Sequence, residues 1–198
     1  MPNNQDKNEV SYYPEITKFI EAQIKSNFKS KGANINVYWE IGELKTKLKK
    51  IIKEHPTECE CATVFANKVP PLSLDIFGLV TNGIQFKIVI LEIKKRNSVG
   101  LSEWSQLLGY TMVSDASYGL LINIDSGASP RLTDILTFEK DLSKILRIKQ
   151  EKNEITKHLL GFMEWNSLTK NFEYSNLGEL HSISILTNEL YNDFYQNL

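Results

Sequence analysis

The stretch Ser73-Leu-Asp75-Ile-Phe-Gly-Leu-Val80, continued by Thr81-Asn82-Gly83 and then by Ile84-Gln-Phe-Lys-Ile-Val-Ile-Leu-Glu92-Ile93-Lys94-Lys95, decides how this chain folds. Two apolar, β-branched runs flank an Asn-Gly pair, and both central residues of a type I′ turn need positive φ, which Asn and Gly accept. The pattern predicts a hairpin. With Asn82 and Gly83 as the central turn residues, Thr81 faces Ile84, and Asp75 falls opposite Ile90. Side chains alternate faces with period two, so Ile90, Glu92 and Lys94 share one face, and Asp75 joins it. Asp75 and Glu92 become diagonal neighbours, with Cα atoms roughly 7–8 Å apart and carboxylates able to converge on one ion. Lys94 stands one side chain further along. A single bulge would alter this parity.

The run Ile88-Val89-Ile90-Leu91 is apolar on both faces, the mark of a central strand covered on both sides. Acidic and basic groups at the end of such a strand are costly to bury without a partner or a metal. The plainer alternative is a solvated ion-pair edge, with Lys94-Lys95-Arg96 blunting the strand end.

An Asp on one strand followed by Glu-x-Lys on the next resembles the PD-(D/E)xK nuclease superfamily of restriction-type endonucleases, junction resolvases and RecB-like exonucleases. The matching residues are Asp75, Glu92 and Lys94. Leu74 stands where the superfamily has proline, although Pro70 and Pro71 lie just upstream. Gln106-Leu-Leu-Gly-Tyr110 looks like the Gln-x-x-x-Tyr element of RecB-like members, and the resemblance spans about Tyr12 to Asp125. It implies an α/β, restriction-endonuclease-like mixed sheet of four or more strands flanked by helices. It also implies a Mg²⁺- or Mn²⁺-dependent DNA endonuclease of restriction type. A catalytically silent DNA-binding or scaffold subunit, a junction resolvase and a RecB-like exonuclease are the alternatives within the resemblance, and a binding domain with a chance motif is the alternative outside it. On this resemblance Asp75, Glu92 and the backbone carbonyl of Ile93 would hold the ion, while Lys94 would orient water and offset charge on the phosphate. Gln106 would belong to the same site. Members of the superfamily often bring a helix glutamate to the metal, for which Glu15 is preferred and Glu21 is the alternative.

Length and composition agree with one domain: 198 residues can bury a sizeable core. The expected division is a disordered N-terminal tail over 1–10, a nuclease core over 11–126 and a C-terminal elaboration over 127–198. A formal net charge of −1 means that DNA binding must come from a local basic patch or from bridging cations. The densest positive feature is the lysine-rich stretch Lys45, Lys47, Lys49, Lys50 and Lys53, which reads either as a solvated helix face or as a phosphate-contacting one. No stretch has the length of a membrane span, and Pro2–Glu9 is no signal peptide, so the expectation is a cytoplasmic protein without membrane contact. Cys59 and Cys61 read as reduced thiols, with a zinc site completed by His55 as the alternative; four cysteine ligands for an iron–sulfur cluster are lacking. The sequence leaves open a homodimer or a partner subunit.

Elsewhere the chain predicts a helix over about 12–28 opened by Pro14, an extended or helix-entering piece at Ile35–Trp39, and a helix from Gly42 to His55. A first strand is expected at Cys61–Ala66, giving a three-strand meander with the hairpin. A helix capped by Ser102 runs to Ser114, and a buried strand follows at Tyr118–Ile124, whose strand–helix–strand connection suggests a parallel crossover. Beyond Pro130 the reading offers alternating helix-like and strand-like pieces and a closing helix at Thr187–Phe194. His158 and His181 read as lone surface residues.

Overall fold

In a computed structural model that describes residues 8–149 and 154–196, an apolar stripe shapes the first helix, α1 (Tyr13–Ser30). Ile16, Ile20, Ile24 and Phe28 recur at four-residue spacing and are fully buried. Pro14 sits in the first turn, where its missing N–H costs nothing. A 3-10 turn, Glu9–Tyr12, precedes α1 and is capped by the side chain of Asn8. The expected disordered tail therefore does not extend to Glu9 and Val10; its residues 1–7 lie outside the described residues.

Seven strands form one mixed sheet: β1 (Asn36–Glu43), β2 (Ser73–Thr81), β3 (Phe86–Lys94), β4 (Tyr118–Ile124), β5 (Lys144–Lys149), β6 (Glu154–Asn166) and β7 (Asn171–Glu173). Their order is β1-β2-β3-β4-β6-β5, with β7 also on β6. β1, β2 and β3 are antiparallel, whereas β3, β4 and β6 run parallel. The β3-to-β4 crossover is the helix α5 (Leu101–Ser114), as the strand–helix–strand pattern suggested. Residues after 126 complete the same sheet through β5, β6 and β7.

Between β1 and β2 lie α2 (Leu44–Glu54), α3 (Pro56–Cys59) and α4 (Thr63–Lys68). The expected strand at Cys61–Ala66 is thus helical. Its buried residues, Ala62 and Ala66, lie four apart, and with Cys59 at the end of α3, three residues before Ala62, they keep the period of a helix face. The meander's first strand is β1 instead. Two further helices, α6 (Pro130–Phe138) and α7 (Ile183–Tyr195), complete the cover. α1 and α7 pack on one face of the sheet against Val89, Leu91, Ile93, Leu120 and Ile122. On the other face α2, α5 and α6 pack against Phe77, Leu79, Ile88, Ile90 and Leu121. Among the described residues no helix is long and apolar enough to cross a membrane.

The hairpin loop is longer than the two-residue turn expected. Thr81 pairs with Phe86, so Asn82, Gly83, Ile84 and Gln85 form the loop. Asn82 Oδ1 accepts hydrogen bonds from Ile84 N and Gln85 N, both at 3.0 Å, and Thr81 Oγ1 accepts from Gly83 N at 3.0 Å. Side chains satisfy the loop amides that a tighter turn would have paired. Gly83 takes φ +89°, but Asn82 does not take positive φ, which excludes the type I′ geometry.

Candidate functional site

The longer loop slides the β2–β3 register by an even number of residues, so each side chain keeps its face. Ile76 now pairs with Leu91, and the next position sets Asp75 directly across from Glu92 rather than diagonal to it. The β1–β2 ladder carries the irregularity: Phe77 pairs with Glu40 and Leu74 with Gly42, leaving Asp75 and Ile76 together against Ile41. The core records this two-against-one bulge. Phe77 and Leu79 face α5 while Ile76 and Val80 face α1, and strict alternation would turn Leu74 towards α1, yet it lies on the α5 side. Asp75 sits within the bulge, and its side chain reaches β3.

There Asp75 Oδ2 accepts hydrogen bonds from Lys94 Nζ at 3.1 Å and from Ile93 N at 3.3 Å. Lys94 Nζ also lies 2.6 Å from Glu92 Oε1. This second contact is a buried ion pair, and Glu92 Oε2 is buried without a hydrogen-bond donor among the described residues. Glu92 is 0% exposed, Lys94 13% and Asp75 27%. Burial, reinforced by the Asp75 and Glu9 charges and opposed by Lys94, pushes the Glu92 carboxyl up to about 7. For Lys94, burial works to lower the pKa, but Glu92 and Asp75 outweigh it and raise it. Lys94 is therefore a held cation, not a neutral amine poised as a base.

A third acid approaches from the N-terminal turn. Tyr13, buried in the first turn of α1, donates its hydroxyl to Glu9 Oε1 at 2.9 Å. Its phenol is raised by burial first, then by the charges of Asp75, Glu9 and Glu92. Glu9 falls within the stretch expected to be disordered, and nothing in the sequence singles out Tyr13. The preferred helix glutamate, Glu15, instead pairs with Lys170 at 3.3 Å, and Glu21 pairs with Lys25 at 2.5 Å.

The loop after β3 is fixed from below. Asn123 lies at the level of Lys94 on β4 and is fully buried. Its Oδ1 accepts from Arg96 N at 3.1 Å, and its Nδ2 donates to Arg96 O at 2.9 Å and to Gly127 O at 3.2 Å. Glu103 takes Arg96 Nη1 at 2.8 Å and Gly100 N at 2.9 Å, so Gly100, not Ser102, caps α5. Burial raises the Glu103 carboxyl, but these backbone bonds, Arg96 and Lys94 outweigh it and lower it. Its spacing from Gly100, three residues, is that of a capping box and could have identified it. Lys95 points to the opposite face from Lys94, with its ammonium 5.3 Å from the Tyr12 ring centre.

Gln106 is exposed on α5 and donates to Tyr110 Oη at 3.0 Å, one turn on; the described contacts do not bring it to Asp75, Glu92 or Lys94. Of the lysine-rich α2, Lys47 and Lys50 are held by Glu40 at 3.1 and 2.6 Å, which halves the local positive charge they could offer a phosphate. His55 stacks on Tyr38, Cys59 is buried with its thiol pushed up to about 11 by burial first, and Cys61 Sγ lies 3.6 Å from Thr81 Oγ1. His158 is 1% exposed, not a surface residue, with Nδ1 2.6 Å from Ala116 O.

Among the described residues no group of three or more His, Cys, Asp or Glu side chains is arranged to hold a metal ion. Asp75 and Glu92 offer a pair of carboxylates. Mg²⁺ commonly takes one or two, its remaining positions going to water and phosphate oxygen, so the donor set fits that ion. Glu92 Oε2, buried without a hydrogen-bond donor among the described residues, is the feature that fits a cation best. Comparison with protein-family models, with curated proteins and with solved structures gives no match.

Proposed function

We propose that this protein is a divalent-cation-dependent deoxyribonuclease that hydrolyses phosphodiester bonds, with Asp75, Glu92 and Lys94 at its centre. One observation carries the reading: near the end of a central strand Glu92 is fully buried, and a single ammonium, Lys94 Nζ, bridges it at 2.6 Å to a second carboxylate, Asp75, at 3.1 Å. Two carboxylates that share one ammonium in a buried setting leave an excess negative charge that is costly to keep for stability alone, and a divalent cation suits that chemistry.

Asp75 and Glu92 would hold Mg²⁺ or Mn²⁺, and the Ile93 carbonyl is the third candidate ligand. When bound, such an ion polarises phosphate oxygens and lowers the pKa of its water. Lys94, kept protonated by both acids, supplies a fixed positive charge where negative charge develops on the phosphate. Asp75 is oriented by the Ile93 amide as well as by Lys94, so its carboxylate is placed by backbone. Glu9, held by Tyr13, adds a third acidic group at the rim. The order α1, a β1–β2–β3 meander, α5 and a parallel β4 supports a restriction-endonuclease-like core, with α2, α3 and α4 inserted between β1 and β2.

The test is cleavage of supercoiled plasmid, linear duplex and branched DNA with Mg²⁺, Mn²⁺, Ca²⁺ or chelator. Endonuclease action opens the plasmid, an exonuclease degrades only the linear substrate, and a resolvase cuts only the branched one. Asp75→Ala and Glu92→Ala should abolish whichever activity appears. Cleavage that survives excess chelator, or that both variants retain, refutes the assignment.

A further inference from the structure

Along α1, Glu15, Phe19 and Gln23 are four residues apart and so share one face, directed at β7. Glu15 pairs there with Lys170, whose side chain is 67% exposed. One turn on, Phe19 and Phe172 wall a cleft of about 430 Å³ that also meets Gln23, Asn171 and Tyr174. Its aromatic wall is rigid: Phe19, Trp165 and Phe172 pack edge to face at 5.0 to 5.7 Å between ring centres. Tyr174, by contrast, is 81% exposed at the mouth. Among the described residues no Lys or Arg lines the cleft and Glu173 is its one carboxylic acid, so it is a poor seat for phosphate. Aromatic faces with neutral amides suit a flat, uncharged, hydrogen-bonding ring, and that describes a nucleobase.

We infer that this cleft is a subsite for an unpaired base of the substrate strand, stacked on Tyr174, with Lys170 beside the adjoining phosphate. The inference rests on the nuclease reading and gives it a substrate class: DNA carrying a single-stranded segment. Paired bases are already stacked within the duplex and cannot enter.

Fluorescence anisotropy with a labelled oligothymidylate and a matched duplex, in chelator, tests it. Tyr174→Ala should weaken oligothymidylate binding about 5- to 150-fold, the range lost with one base–aromatic stack, and leave duplex binding within about twofold. Tyr174→Phe, which keeps the ring, should bind like the natural protein. Equal losses in Ala and Phe variants, equal losses on both DNAs, or no binding of oligothymidylate by the natural protein would overturn the subsite. Glu92→Gln, inactive on the nuclease reading, should keep oligothymidylate binding. If no DNA is ever cut but the ring dependence holds, the nuclease reading fails and the base subsite stands.

Discussion

Replacing Glu92 by Gln should stabilise the metal-free protein at pH 8. The carboxyl ordinarily titrates at 4.5, and in the folded protein burial, first of all, raises it to about 7. Below 4.5 it is neutral in both states and costs nothing. Between 4.5 and 7 the unfolded chain releases this proton while the folded chain keeps it, so stability falls as pH rises. Above 7 the loss is complete, and the gap corresponds to about 3 kcal/mol. Gln keeps the shape without the charge, and Lys94 retains Asp75 at 3.1 Å. Urea or thermal unfolding in chelator should show the two proteins nearly equal at pH 5. At pH 8 the variant should be ahead by up to about 3 kcal/mol, a rise in Tm of about 6–12 °C for a domain of this size. Added Mg²⁺ should raise the natural protein's Tm and reverse the order, because only the intact carboxylate pair gains from the ion. If Glu92→Gln is instead less stable at pH 8 in chelator, the Glu92–Lys94 pair is a structural ion pair, and the argument for a cation fails.

Lys94→Ala should lower cleavage by about a hundredfold or more while changing DNA affinity in Ca²⁺ only by about the weight of one phosphate contact; single-turnover rates and titrations separate the two. Lys95→Ala is its control, since that side chain lies over Tyr12 on the other face and should be nearly silent in rate. Glu9→Gln removes one of the charges that raise Glu92, so the midpoint of the pH-dependent stability loss should move down from about 7; an unchanged midpoint would detach Glu9 from the site. Gly161→Ala places a Cβ 2.0 Å from the backbone oxygen of Leu180, and unfolding should show a loss of about 2 kcal/mol or more.

The parts of the fold legible in the sequence were those with strong local periodicity. β2, β3, β4, α1 and α5 each follow an apolar pattern that one period explains. The hairpin loop was misjudged because the Asn82 side chain, not a tighter backbone turn, satisfies the amides of Ile84 and Gln85. The even slip spared the assignment of faces, so Asp75, Glu92 and Lys94 still converge. Cys61–Ala66 failed for another reason: a short apolar run has no period of its own, and its helical burial depends on β2 and α2 packing against it. Glu9 and Tyr13 were illegible as site residues because their approach to Asp75 and Glu92 is made by tertiary packing alone, across more than sixty intervening positions of sequence. Gln106 shows the converse, since a motif match on α5 left its side chain bonded to Tyr110 on an exposed face.

Asn123 makes with Arg96 the pair of bonds that a strand residue would make, one accepted and one donated, although β3 has already ended at Lys94. The side chain therefore prolongs the ladder beyond the last strand residue. In hydrogen exchange, the Arg96 amide should behave as an interior strand amide and exchange only when β3 and β4 part. Asn123→Ala should release it to the fast exchange of a loop, and with it the backbone that carries Lys94 into the space between the two acids.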